Sequence, residues 1–179
     1  MMRPLPLVAI AMGSKSDWDV MQHAAITLKS LGVPHICRTP SAHRTAERMR
    51  RFALKMHKRV EYVIAGAGGS AALPGMIASF APGLKVLGVP IPSGEWNGQS
   101  ALLSMIDMPE GVPLAVFPLG KSGAVNAALF AGDHLAKEHP RIQEALAMYR
   151  AAILKKVGDM NRFVSQFDFL PDVEENGGR

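Results

Sequence analysis

Short apolar runs alternate along this chain with segments of helical period, and glycine or proline stands at most changeovers. That pattern predicts a three-layer α/β/α sandwich around a parallel sheet. The first and third runs have no polar residue at alternate positions, as expected of strands buried on both faces by covering helices.

Residues 7–12, between Pro6 and Gly13, form the first expected strand. The period then lengthens: Trp18, Met21, Ala24, Ala25, Leu28 and Leu31 recur at helical spacing, and Gly32 stands where a helix stops. Residues 34–39 read as a second strand, and Thr45 as the N-cap of a basic helix through residue 58. Residues 62–65 form a third strand that runs into Gly66, Gly68 and Gly69. A short helix follows Pro74, and two more strands fall at 85–89 and 114–117. Residues 122–137 make an alanine-rich helix whose small side chains suit close packing on a sheet. Pro140 opens a last amphipathic helix to about residue 157, in the first turn where proline is tolerated. Five short strands separated by helices suggest a flavodoxin-like parallel sheet, with the C-terminal helix extending beyond it.

The 179 residues suit one domain, 1–179, with residues from about 158 onward as a tail. Apolar residues are 48% and charged residues 20% of the chain, a globular rather than a disordered composition. Cys37 is the only cysteine, which excludes an internal disulfide and a cysteine metal cluster and fits a reducing cytoplasm. The first ten residues are too short and proline-broken for a secretory signal, and no run is long enough to span a membrane. The formal charge is +5, with cations at Arg48, Arg50, Arg51, Lys55, Lys58 and Arg59, then Arg150, Lys155 and Lys156. No aromatic platform is interleaved with them, so they read as solvated helix faces rather than a nucleic-acid surface. The same balance suits an anionic small molecule. Phe163, Phe167, Phe169 and Leu170 are too many apolar side chains for a free tail, so the tail is expected to dock, on a neighbouring subunit.

Ligands of such folds bind where the carboxyl ends of strands turn into helices. Three segments meet that rule. Gly13, Ser14, Lys15, Ser16 and Asp17 join the first strand to its helix, offering a tight turn, hydroxyls and free N–H groups. This is either a phosphate cradle or a plain capped turn, since Ser and Asp are the usual caps. Ser41, Ala42, His43 and Arg44 follow the second strand, with Arg44 able to grip a phosphate bidentately. His43 is the one histidine of six placed at a strand end beside that anion site; His23, His35, His57, His134 and His139 fall in helices, near a helix end or at a strand start. It is a candidate acid–base group or an ordinary surface histidine. The third segment runs from Ala65 to Met76, where stacked glycines admit either a flat ligand or a closely packed helix. Its spacing fits no dinucleotide fingerprint. Paired carboxylates, a Ser-His-Asp order and metal-ligand spacing are all missing from the sequence.

Six motifs then coincide: Gly-Ser-Lys-Ser-Asp at 13–17, Ser-Ala-His-Arg-Thr at 41–45, Ala-Gly-Ala-Gly-Gly at 65–69, Leu-Pro-Gly-Met at 73–76, Leu-Gly-Val-Pro at 87–90, and Gly-Lys-Ser-Gly-Ala from 120 with Asn-Ala-Ala at 126–128. In this order the chain resembles the PurE family of N5-carboxyaminoimidazole ribonucleotide mutases over residues 8–149, in its bacterial mutase class. The resemblance implies a homo-octamer of flavodoxin-like subunits, with no metal or organic cofactor, acting in de novo purine synthesis. It implies isomerisation of the carbamate-bearing ribonucleotide to 4-carboxy-5-aminoimidazole ribonucleotide, downstream of an ATP-dependent synthase. His43 would be the general acid–base, with substrate held by Ser14, Ser16, Asp17, Ser41 and Arg44 and by Gly68, Gly69, Ser70 and Leu73. Three departures bear on the reacting end: Ala72 where the family carries His, a divergent segment at 93–101 containing Trp96, and Asp107 before Met108 and Pro109. They leave two other readings open, a paralogue acting on another ribonucleotide and a non-catalytic nucleotide-binding module.

Overall fold

The structure is a computed structural model that describes residues 6–94 and 96–168. Its sheet has five parallel strands in the order β2-β1-β3-β4-β5. These are β1 (Val8–Met12), β2 (His35–Arg38), β3 (Tyr62–Ala67), β4 (Lys85–Pro90) and β5 (Ala115–Val116). Between and after them come α1 (Trp18–Ser30), α2 (Ala46–His57), α3 (Ala72–Phe80), α4 (Gln99–Ile106), α5 (Lys121–Leu135) and α6 (Pro140–Val164). The expected α/β/α class and the flavodoxin-like strand order both hold.

Strand parity sorts the core into two layers. On one face Val8, Ile10, Met12, Ile64 and Leu87 pack with Met21 and Leu28 of α1 and with Ala124, Ala127, Ala128 and Ala131 of α5. Ile142 and Leu146 seat the start of α6 on that layer. On the other face Ala9, Ala11, Val63 and Ala65 meet Met49 and Ala53 of α2, Ile77 of α3 and Met105 of α4. Small strand residues on this side let α2 and α3 lie close. β1 pairs with both β2 and β3, with Val8 opposite His35 and Tyr62, so the chain order reverses at β1. Loops after β1 and β3 diverge there and leave a crevice at their carboxyl ends.

Several elements differ from the sequence expectation. α4 was not expected; its eight residues bury only Ala101 and Met105, too weak a stripe to show as a helical period. α3 starts at Ala72, with Pro74 inside its first turn rather than before it. β5 is two residues long, because only Ala115 and Val116 reach the β4 ladder. Trp18, counted on the buried stripe, is 38% exposed. α6 does not stop near residue 157: it passes through Gly158 to Val164, and a 3-10 turn follows at Ser165–Phe167. One glycine costs a helix only about 1 kcal/mol, which its neighbours absorb. Leu154, Val157, Met160, Phe163, Val164 and Phe167 are exposed along this arm, and Phe163 and Phe167 meet edge to face at 5.7 Å. Phe169 and Leu170 lie outside the described residues. Among the described residues, no helix is long and apolar enough to cross a membrane.

Close approach of α5 to the sheet depends on Gly123, where a Cβ would sit on the Pro118 carbonyl. Backbone cannot move aside as a flexible side chain can. Gly123→Ala should therefore lower unfolding free energy by about 1–3 kcal/mol or more, read as a fall in the urea midpoint at unchanged slope. An unchanged midpoint would show that the contact between α5 and the Pro118 backbone is not tight.

Candidate active site at the carboxyl edge of the sheet

β1 delivers Gly13 and a tight turn. Ser14 is extended, with φ −154° and ψ 164°, and caps the 3-10 turn Lys15–Asp17. Its Oγ accepts from the Ser16 amide at 3.0 Å, while Asp17 Oδ2 accepts from the Ser14 amide at 2.9 Å. The turn is thus a capping box, and its hydroxyls, which can rotate, line the crevice. Burial pushes the Asp17 carboxyl above the usual carboxylate range, opposed by hydrogen bonds from Ser14, Gly13 and Ser16 and by the Arg44 charge.

β2 delivers Ser41, Ala42, His43 and Arg44. The Arg44 guanidinium reaches back to donate to the Gly13 carbonyl at 3.2 Å, and its Nε donates to Ser41 Oγ at 3.4 Å. The exits of β1 and β2 are thereby tied by one cation. Thr45 occupies the N-cap position of α2 but makes no capping bond. Its hydroxyl instead donates to the Ser41 carbonyl at 3.0 Å, which closes the Ser41–Thr45 turn. His43 is exposed, and its ring has no hydrogen-bond partner among the described residues.

β3 delivers the glycine loop. A Cβ on Gly68 would collide with Ser93 Oγ, and that hydroxyl accepts from the Gly69 amide at 3.0 Å. Ser93 thus holds the β3 loop to the β4 loop. Ala71 turns into α3 with φ +42°, a left-handed conformation that costs a non-glycine residue about 1 kcal/mol or more.

These segments enclose a pocket of ≈ 260 Å³. Ser14, Ser16, Asp17, Ser41, His43, Arg44, Gly68 and Leu73 line it, so eight expected site residues from three separate loops converge. Gly69 and Ser70 lie on the exposed outer bend and are not among the lining residues. Sequence reasoning did not single out Gly13, Ala42, Ala67, Ala71 or Ser93 as site residues. Ser93 had a usable signal, since it follows β4 at the same edge. Ala72 also lines the pocket, whereas Trp96 and Asp107 do not. Its volume is slightly below the usual range of about 300–1,000 Å³ for ligand sites, so a nucleotide would also lie across its mouth. No three His, Cys, Asp or Glu side chains gather as a metal site among the described residues.

A guanidinium, a hydroxyl-rich turn and an unpartnered imidazole thus meet at the topological switch point of an α/β sheet, where such folds bind ligands. Comparison with known proteins sharpens this. The AIR carboxylase family model matches residues 7–156, and the chain belongs to that family. It is 47% identical over 146 residues to the N5-carboxyaminoimidazole ribonucleotide mutase of Pseudomonas aeruginosa, covering 81% of this chain and 89% of the relative. The mutase of Brucella melitensis is 45% identical over 153 residues, covering 85% and 94%. Among solved structures, Treponema denticola PurE superposes with a TM-score of 0.75 at 30% identity, covering 86% of this chain and 95% of that one.

Asp17 offers a test of the site's electrostatics. A carboxyl raised above its unfolded value binds its proton more tightly when folded, so its ionisation lowers stability as pH rises through that interval. Asp17→Asn keeps an acceptor for the Ser14 amide and removes the buried charge. The variant should melt higher than wild type at neutral pH, with the gap closing on acidification through the carboxylate range. A wild type that melts higher at neutral pH would reverse the assigned sign.

Proposed function

We propose that this chain is an N5-carboxyaminoimidazole ribonucleotide mutase that moves a carboxylate from the exocyclic nitrogen of its substrate to the ring carbon. The observation that carries the reading is His43: an imidazole with no protein partner, on one pocket rim with Arg44 and the Ser14 turn, in a chain 47% identical to a protein of that name.

Phosphate and ribose are assigned to Ser14, Ser16, Asp17, Ser41 and Arg44. Arg44 supplies the charge-assisted donor, and the rotatable hydroxyls of Ser14 and Ser16 supply neutral ones. Gly68 and Leu73 border the ring and the migrating carboxylate, while Gly69 and Ser70 stand at the mouth. Cleavage of the carbamate C–N bond releases carbon dioxide and leaves the pair on nitrogen, which takes a proton. Attack of the electron-rich ring carbon on the retained carbon dioxide forms a C–C bond. That carbon then carries one proton too many, and a base removes it. Imidazole titrates near neutrality and serves both transfers. His43 is the one imidazole lining the pocket, since Ala72 stands where the resembled family carries His. Both transfers therefore fall to His43 in this chain. Holding the carbon dioxide beside the ring replaces a bimolecular recapture by an intramolecular one.

Ala72 also carries the second reading, a paralogue acting on a different ribonucleotide, because it enlarges the ring end of the pocket. Offering purified protein the carbamate substrate and following the ring-carboxylated product by absorbance decides between them. His43→Asn should retain nucleotide binding while turnover falls by about 10²–10⁴-fold. Arg44→Ala should raise KM by the equivalent of about 1.5–3 kcal/mol. Binding without turnover in wild type would favour the paralogue, and wild-type turnover in His43→Asn would remove the histidine from the mechanism.

The apolar stripe along α6 and the family resemblance support a homo-oligomer in which this arm packs on a neighbouring copy, with an octamer as the expected assembly. Light scattering should give a mass near eight times the 19.2 kDa chain; a monomer mass would refute the assembly.

A further inference from the structure

The exposed edge of the sheet carries a second concentration of charge. Two hollows flank β2 there and share Arg38, Thr39 and Arg48. One, of ≈ 300 Å³, is fenced by Arg48, Arg51, Lys55 and Arg59 over an apolar floor that includes Phe52. The other, of ≈ 350 Å³, is formed by Trp18 with Met12, Cys37 and Lys15. No carboxylate lines either hollow. Among the described residues, the one carboxylate paired with any of these cations is Glu47, 3.9 Å from Arg51, and it is shared with Arg50. Six like charges held along one edge repel one another unless an anion joins them.

We propose that this edge is a binding site for a nucleoside polyphosphate, separate from the catalytic pocket, with the base against Trp18 and the phosphates among Arg48, Arg51, Lys55 and Arg59. Arginine forks match phosphate oxygens in pairs, which favours phosphate over isolated carboxylates. The partly exposed Trp18 indole gives a base one face to stack on, and Arg38 and Arg48 stand where the two hollows meet. A single aromatic beside one cationic groove suits one nucleotide, whereas a single-stranded nucleic acid needs successive stacking platforms. The ligand would touch Lys15 in the turn after β1 and Thr39, two residues before Ser41, so it would lie against the backbone that carries the catalytic loops. The proposal does not depend on the mutase reading, because it is tested by binding alone.

Calorimetric titration of the full chain with ATP, without divalent metal, should give saturable binding of one nucleotide per chain that weakens with added salt. The double variant Arg51→Glu/Lys55→Glu should lose roughly tenfold or more in affinity per charged contact removed. Its melting curve should be unchanged, and Arg51→Gln/Lys55→Gln should show a smaller loss in the same direction. Trp18→Ala should weaken ATP but not inorganic tripolyphosphate. Arg44→Ala should leave ATP affinity unaltered, because the catalytic cradle is a different site. The proposal is overturned by any of four results: no saturable ATP binding, equal affinity in wild type and the charge-reversed variant, loss of binding in Arg44→Ala alone, or preference for a single-stranded RNA oligonucleotide. It is also overturned if ATP binds only after Asp172, Glu174 and Glu175 are changed to amides, which would make the chain's own acidic end the occupant.

Discussion

Burial of β1 and β3 on both faces is the constraint on which the rest of the site depends. All five residues of β1 are buried, and so are all six of β3, so neither strand can shift without opening a core layer. Side chains alternate with period two, so a slip of one register would exchange the two layers. Ile10 would then meet the α2 and α3 side, where Ala9 and Ala11 leave little room. The exits of these strands are therefore fixed in register. Turns built from small and polar residues can present groups there accurately without much packing of their own. Arg44 completes the frame by bonding across from the β2 exit to the Gly13 carbonyl.

The same frame explains what was legible in the sequence. Continuous apolar runs and alanine-rich helical periods come from burial, so β1, β3, β4, α1, α2 and α5 were readable without the coordinates. The rule that ligands bind at strand exits then selected three loops, the family resemblance named residues within them, and eight of those residues line one pocket. Features without a burial signature were not readable. α4 buries two residues, β5 is held by two ladder positions, and α6 keeps its helical form on exposed backbone where its stripe packs on none of the described residues. Ser93 was missed for a different reason. Its place after β4 marks it only as a strand-exit residue, and its hydrogen bond from the Gly69 amide spans 24 positions.

Capping and ligand binding draw on the same groups in the Ser14 turn. The Ser14 amide donates to Asp17 and its hydroxyl accepts from Ser16, which stabilises the turn and keeps its donors from lying idle. A phosphate would compete for those hydroxyls, so the net gain on binding is an exchange of hydrogen bonds, with Arg44 supplying the charge that tips it. Asp17 carries the opposite cost. Its carboxyl accepts from the Ser14 amide in the cap yet is partly desolvated, which disfavours its ionised form. Stability given up at a ligand site is a common signature of function.

The placement of histidine follows the same logic. An imidazole fixed by a protein hydrogen bond is held in one tautomer and one orientation. His43 has no such partner among the described residues, and Arg44, its neighbour in the chain, is turned away to the Gly13 carbonyl. In the proposed mutase reaction one ring would give a proton to nitrogen and take one from carbon, with its orientation supplied by the substrate. The alanine at position 72 leaves no second imidazole on the pocket wall. The exposed, unpartnered ring, which in isolation reads as an unremarkable surface histidine, is thus the one imidazole available to that proposed chemistry in this pocket.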